Sequence, residues 1–143
     1  SWIWTTEKDL HKRWWGHISG SAHRRWRDMR LVHAYWKEFL ATDPEGAKRK
    51  SPAVQTPNGS LADLYDRVRN KPLYDASKIR CPVLLIFGDQ DGAANPVEAW
   101  DLFQKLTSSP GKRYVVMGEG THFMEFEHRR EEFLAQVQDF LET

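Results

Sequence analysis

Hydrophobic and polar positions change their grammar near the middle of this chain. Up to about residue 74 the apolar residues recur at helical spacing, while beyond it short continuous apolar runs alternate with helical stretches. Thr5 or Thr6 followed by Asp9 resembles a capping box, which predicts a helix over about 7–16 with Leu10, Trp14 and Trp15 as its apolar residues. Residues 16–20 read as a turn, and Ser21 is a candidate N-cap for a helix over about 22–41. Trp26, Met29, His33, Trp36 and Leu40, three and four apart, share one face of it, and Asp43-Pro44 ends it. Between 43 and 59 come Pro44, Gly46, Pro52, Pro57 and Asn58-Gly59, which predict a long surface connection. Ser60 then caps a short helix with Leu61, Leu64, Tyr65 and Val68 on one face. No strand is predicted in this half.

Pro82-Val83-Leu84-Leu85-Ile86-Phe87 is an apolar run bounded by Pro and Gly, the pattern of a strand buried on both faces. Asn95 reads as the N-cap of a helix with Pro96 at its first position and Glu98 three past the cap; Val97, Trp100, Phe103 and Leu106 form its apolar face. Ser108-Ser109-Pro110-Gly111 stops that helix, a second strand is predicted over 113–117, and a final helix should bury Phe133, Leu134, Val137, Phe140 and Leu141. Strand, helix, strand, helix implies parallel strands joined by a crossover. The fold class is therefore α/β: an all-helical subdomain over 1–74 followed by a parallel β-α-β-α unit over 75–143.

Composition narrows the partners. With 143 residues, 40% of them hydrophobic, the chain can bury a real core, and a net charge of +1 gives no electrostatic reason to expect nucleic acid or an anionic membrane. A lone Cys81 excludes a disulfide framework and a multi-cysteine metal site, so a cytoplasmic location is the default and no cofactor is expected. No apolar run approaches the roughly 20 residues that span a bilayer, and Ser1-Trp2-Ile3-Trp4 lacks the layout of a signal peptide. The missing initiator Met, with seven Trp in so short a chain, hints at part of something larger.

Chemistry is expected past the carboxyl ends of the strands, where loops converge in open α/β sheets. Asp91 and His122 both follow such ends, 31 positions apart. A histidine acting as general base needs its second ring nitrogen held by an acceptor, and a carboxylate does this while stabilising the imidazolium that forms. Gly88, Asp91 and Pro96, followed by Gly118-Glu119-Gly120-Thr121-His122-Phe123, resemble the acid and histidine loops of the α/β-hydrolase superfamily. Pro72-Leu73-Tyr74-Asp75 is similar to that family's passage from lid to sheet. The resemblance covers 72–143 by motif and 1–71 only by position and helical character. It implies a lid followed by the last two strands and helices of the fold, with His122 as base and Asp91 as its orienting acid.

The family's Gly-x-Ser-x-Gly elbow and His-Gly-Gly run do not occur in this chain. Ser19 lacks a Gly two positions earlier, Ser60 reads as a helix cap, and Cys81 opens a strand far from the catalytic end, so it is read as a structural thiol. The resemblance therefore implies a serine-type hydrolase region for an ester or related small apolar substrate, without its nucleophile. It would be inactive alone and would associate with a missing N-terminal half or with itself.

Blander readings stand beside these. Asp91 could be a turn residue, with Asp89 competing for the acid role, and His122 a structural histidine. His11, His17, His23, His33 and His128 read as bystanders, and Arg24, Arg25, Arg27 and Arg30 as a solvated helix face near Asp28. Lys48-Arg49-Lys50 reads likewise, in a loop. Trp14, Trp15, Trp26, Tyr35 and Trp36 are packing residues first and the wall of an apolar pocket second. Two other classes remain open: a non-catalytic binding module of the same fold, and an Mg²⁺-dependent phosphatase of haloacid-dehalogenase type using Asp89 and Asp91, although Ala93 stands where that motif has Thr.

Overall fold

In a computed structural model the chain has both helices and small sheets, and the described residues are 2–19, 21–69, 71, 73–94 and 96–143. Expectations for Gly20, Pro72 and Asn95, and for the side chains of His23 and Val68, lie outside that description. Strand β1 (Trp2–Thr6) runs straight into helix α1 (Glu7–Trp15) through the capping box read in the sequence. Thr6 Oγ1 accepts from the Asp9 N–H at 3.3 Å, and Asp9 Oδ2 accepts from the Thr6 N–H at 3.0 Å. Leu10 and Trp14, one turn apart, are buried.

β1 pairs antiparallel with β2 (Ala53–Pro57), from Trp2↔Pro57 to Thr6↔Ala53. The strandless first half read from the sequence is thus corrected. Neither five-residue strand alternates apolar with polar residues, and β2 is hidden among turn formers. Asp43 pins this region by capping the short helix α3 (Pro44–Ala47) through the Gly46 N–H at 2.8 Å and by accepting from the Gln55 N–H at 2.9 Å.

The long helix expected over 22–41 is also corrected: a 3₁₀ turn over Ala22–Arg25 gives way to helix α2 (Met29–Ala41), whose N-cap is Asp28 and not Ser21. Asp28 accepts from the Arg30 N–H at 3.0 Å and from the Arg30 guanidinium at 3.0 Å. The inward face of α2 runs through Met29, Val32, Tyr35 and Trp36, so Val32 is fully buried while His33 is exposed. Helix α4 (Gly59–Val68) begins one residue before Ser60, and Leu61, Leu64 and Tyr65 remain exposed.

The second half forms strand β3 (Val83–Gly88), helix α5 (Pro96–Lys105), strand β4 (Lys112–Met117) and helix α6 (Arg130–Leu141). β3 and β4 pair in parallel from Val83↔Lys112 to Gly88↔Met117. Burial is shallower than the sequence pattern implies. Val83 to Ile86 are only half-buried, and Val97 (75%), Trp100 (48%), Leu134 (50%) and Leu141 (76%) are exposed. A two-stranded sheet is only about 5 Å from strand to strand, so it cannot cover the full apolar stripe of two helices.

Two cores result. Phe87, Met117 and Met124 form one beside the parallel strands, with Ala99 and Phe133 packed on it. Leu10, Trp14, Val32 and Phe123 form the other, which joins α1 and α2 to the loop after β4. Among the described residues no helix is long and apolar enough to cross a membrane.

Candidate active site

The loops that leave β3 and β4 are held together before they reach Asp91 and His122. Past the strands the Asp89 N–H donates to the Met117 carbonyl at 2.8 Å and the Gln90 N–H to the Gly120 carbonyl at 2.9 Å. Gly88 and Gly120 touch backbone to backbone: a Cβ on Gly88 would lie 2.0 Å from the Gly120 oxygen. Only glycine permits that approach. Beside it Glu119 takes a positive φ of 56°, an uncommon conformation for a residue with a side chain, and its carboxylate pairs with Arg25 from the first half.

This close approach aligns Asp91 with His122. His122 Nδ1 lies 2.9 Å from Asp91 Oδ2. A carboxylate only accepts, so Nδ1 is the donor and Nε2 is left without a proton in the neutral ring. The other carboxylate oxygen, Oδ1, accepts from the Ala93 N–H at 2.7 Å and the Ala94 N–H at 2.8 Å. The Asp91 side chain is 3% exposed, whereas the His122 side chain is 42% exposed, giving a buried, oriented acid beneath an accessible imidazole. Of the two acids weighed in the sequence, Asp91 reaches the ring; Asp89 Oδ1 instead faces the Gly120 N–H at 3.3 Å.

His122 lines a cavity of about 470 Å³ that the first half roofs with Leu10, Arg13, Tyr35, Phe39 and Leu61. Ser60 also lines it, and among the described residues Ser60 and His122 share no hydrogen bond. Glu125 sits in the same cavity, where burial pushes its carboxyl above the ordinary value while the nearby His122 pulls it back. Cys81 is exposed and precedes β3, at the end opposite Asp91.

No family model matches the chain, and searches of curated proteins and of solved structures returned no match. The reading of this site rests on its geometry.

Several contacts at the site carried little sequence signal. His17, read as a bystander, places Nε2 2.6 Å from the Gln90 carbonyl oxygen, and a Cβ on Gly92 would meet its ring at 2.9 Å. The basic group near Asp28 is not simply a solvated face: Arg25 pairs with Glu119, and the Arg27 guanidinium lies 4.6 Å from the Trp15 ring centroid. Glu127, one acid among many in the sequence, is 1% exposed.

Proposed function

We propose that this chain is the lid and acid–base region of a serine-type α/β hydrolase acting on esters or related small apolar substrates. One observation carries the reading: an oriented carboxylate–imidazole pair at the ends of two adjacent parallel strands, opening on a cavity with aromatic walls. In this mechanism His122 Nε2 accepts the proton of an attacking hydroxyl as that oxygen bonds to the substrate carbonyl carbon. It then returns the proton to the leaving alcohol oxygen as the tetrahedral intermediate collapses. Asp91 holds the ring in the Nδ1–H tautomer and stabilises the imidazolium between the two transfers. The attacking hydroxyl and the oxyanion donors come from a preceding segment of the same fold, which would also pair with the strand edge that β4 leaves open on β3.

The alternatives have less support. The oxygens of Asp91 are engaged by Ala93, Ala94 and His122, an arrangement suited to orienting an imidazole more than to attacking phosphorus or holding Mg²⁺. A non-catalytic binding module could use His122 as a ligand contact, but the Asp91 carboxylate buried behind the ring favours the acid–base reading.

The test has two steps. The purified chain should hydrolyse a short-chain p-nitrophenyl ester no faster than buffer; turnover lost in both Ser60→Ala and His122→Ala would overturn the absence of a nucleophile. A chain extended upstream to include a Gly-x-Ser-x-Gly strand turn should hydrolyse the ester. There Asp91→Asn should lower kcat by about 10⁴-fold through the wrong tautomer. An Asp at the nucleophile position would instead move the chemistry to dehalogenase- or epoxide-hydrolase-like substrates, and full activity in His122→Ala would sink the proposal.

A further inference from the structure

Glu127 presents a buried carboxylate whose described partners are all neutral groups, the Arg130 guanidinium donating instead to its backbone carbonyl; this is an expensive arrangement unless the carboxylate's hydrogen bonds are good. They are. Oε1 accepts from the Trp14 indole N–H at 2.9 Å and from the Thr121 hydroxyl at 2.6 Å, and Oε2 accepts from the Thr121 N–H at 3.0 Å. Thr121 Oγ1 in turn accepts from the Phe123 N–H at 3.2 Å. Both chain neighbours of His122 are thereby tied to one carboxylate. Phe123 is also stacked on Trp14, with ring centroids 4.5 Å apart. The backbone on either side of the histidine therefore has one path, and that path is fastened to helix α1 some 113 residues earlier in the chain.

We infer that Glu127 is a positioning residue for His122, holding the 121–123 backbone so that the ring meets Asp91 and linking that alignment to the docking of α1. This inference rests on the acid–histidine reading of the site. Glu127 does not line the cavity and shares no described hydrogen bond with the ring; its hydrogen-bonded link to the histidine passes through Thr121, and its charge also reaches Glu125 through space. A purely structural anchor would change stability alone. A positioning residue changes the state of the imidazole while the fold persists.

The charged groups acting on the ring are Asp91, which is hydrogen-bonded to it, and Glu125, which acts through space. The experiment is ¹⁵N NMR of the full chain labelled at its six histidines, with His122 assigned from the spectrum of His122→Gln. Ring nitrogen shifts report the tautomer, and the Nδ1 proton reports the bond to Asp91. Wild type should show the Nδ1–H tautomer with a protected proton, lost in Asp91→Asn; if wild type lacks it, the acid–histidine reading itself fails. Glu127→Gln, which removes one acceptor at constant volume, should keep the helical circular dichroism yet lose the tautomer preference and the protected proton. Should Glu127→Gln not fold, Thr121→Val cuts the hydroxyl link and leaves the carboxylate in place; it should show the same loss, with Thr121→Ser restoring wild-type behaviour. A folded Glu127→Gln or Thr121→Val with a wild-type His122 spectrum, in a protein whose Asp91→Asn control behaves as expected, overturns the inference.

Discussion

Asp28 concentrates several jobs in one carboxylate. It caps α2, pairs with Arg30, and lies 3.9 Å from Arg130 at the start of α6, so it ties the beginnings of two helices together. The hydrogen bond from the Arg30 side chain holds its carboxyl down to about 2. An acid with a depressed folded-state pKa contributes stability that is fully present above its unfolded value, about 3.9, and lost as pH falls through the folded one. Asp28→Asn keeps a good cap while removing the charge and one of the two oxygens that accept from the Arg30 guanidinium. The variant should therefore be less stable than wild type in urea melts at pH 7, and the gap should close between about pH 4 and pH 2. A gap that is constant across that range would mean the charge contributes nothing.

At the scale of elements, the join between the two strand-end loops is the least tolerant place in the fold. Gly88→Ala would drive a Cβ into the Gly120 carbonyl, a backbone atom that cannot rotate away. Overpacking of this kind costs about 1–3 kcal/mol or more. The expected result is a lowered urea midpoint together with loss of the His122–Asp91 proton signal, because the loops must part to admit the methyl. A variant with wild-type stability and signal would show that the loops are not in contact. The capping box at Thr6 and Asp9 and the run from Val83 to Phe87 were legible in the sequence because each is a local pattern with one physical meaning. The break at Asp28 was not, since Trp26, Met29, His33 and Trp36 continue the helical period across it and only the cap bonds of Asp28 reveal the restart. The β1–β2 pair was hidden for a related reason: its pairing joins residues 50 or so apart, and nothing in either five-residue segment announces the other.

For the molecule as a whole, Asp91 and His122 could be matched from sequence because strand ends gather residues by rule. Glu127 could not, because its meaning depends on Trp14 arriving from the far end of the chain. The same limit applies to burial: the apolar stripes of α4, α5 and α6 were visible, but not that Leu61, Leu64, Val97, Leu134 and Leu141 would stay exposed. Exposed apolar surface of this extent, beside a strand edge with no charged guard from Val83 to Phe87, favours association. Light scattering after size exclusion should give a mass above the 16.8 kDa of the single chain that grows with concentration; a constant monomer mass would refute this.

The bond from Trp14 to Glu127 also sets an order of events during synthesis. At about 5–20 residues per second, the 113 positions between them take on the order of 10 s to emerge from a ribosome. For that interval the Trp14 indole N–H lacks its carboxylate, and only α2 is available to pack on Trp14 and Trp15. The backbone around His122 is tied to the first helix only once the last third of the chain has come back to meet it.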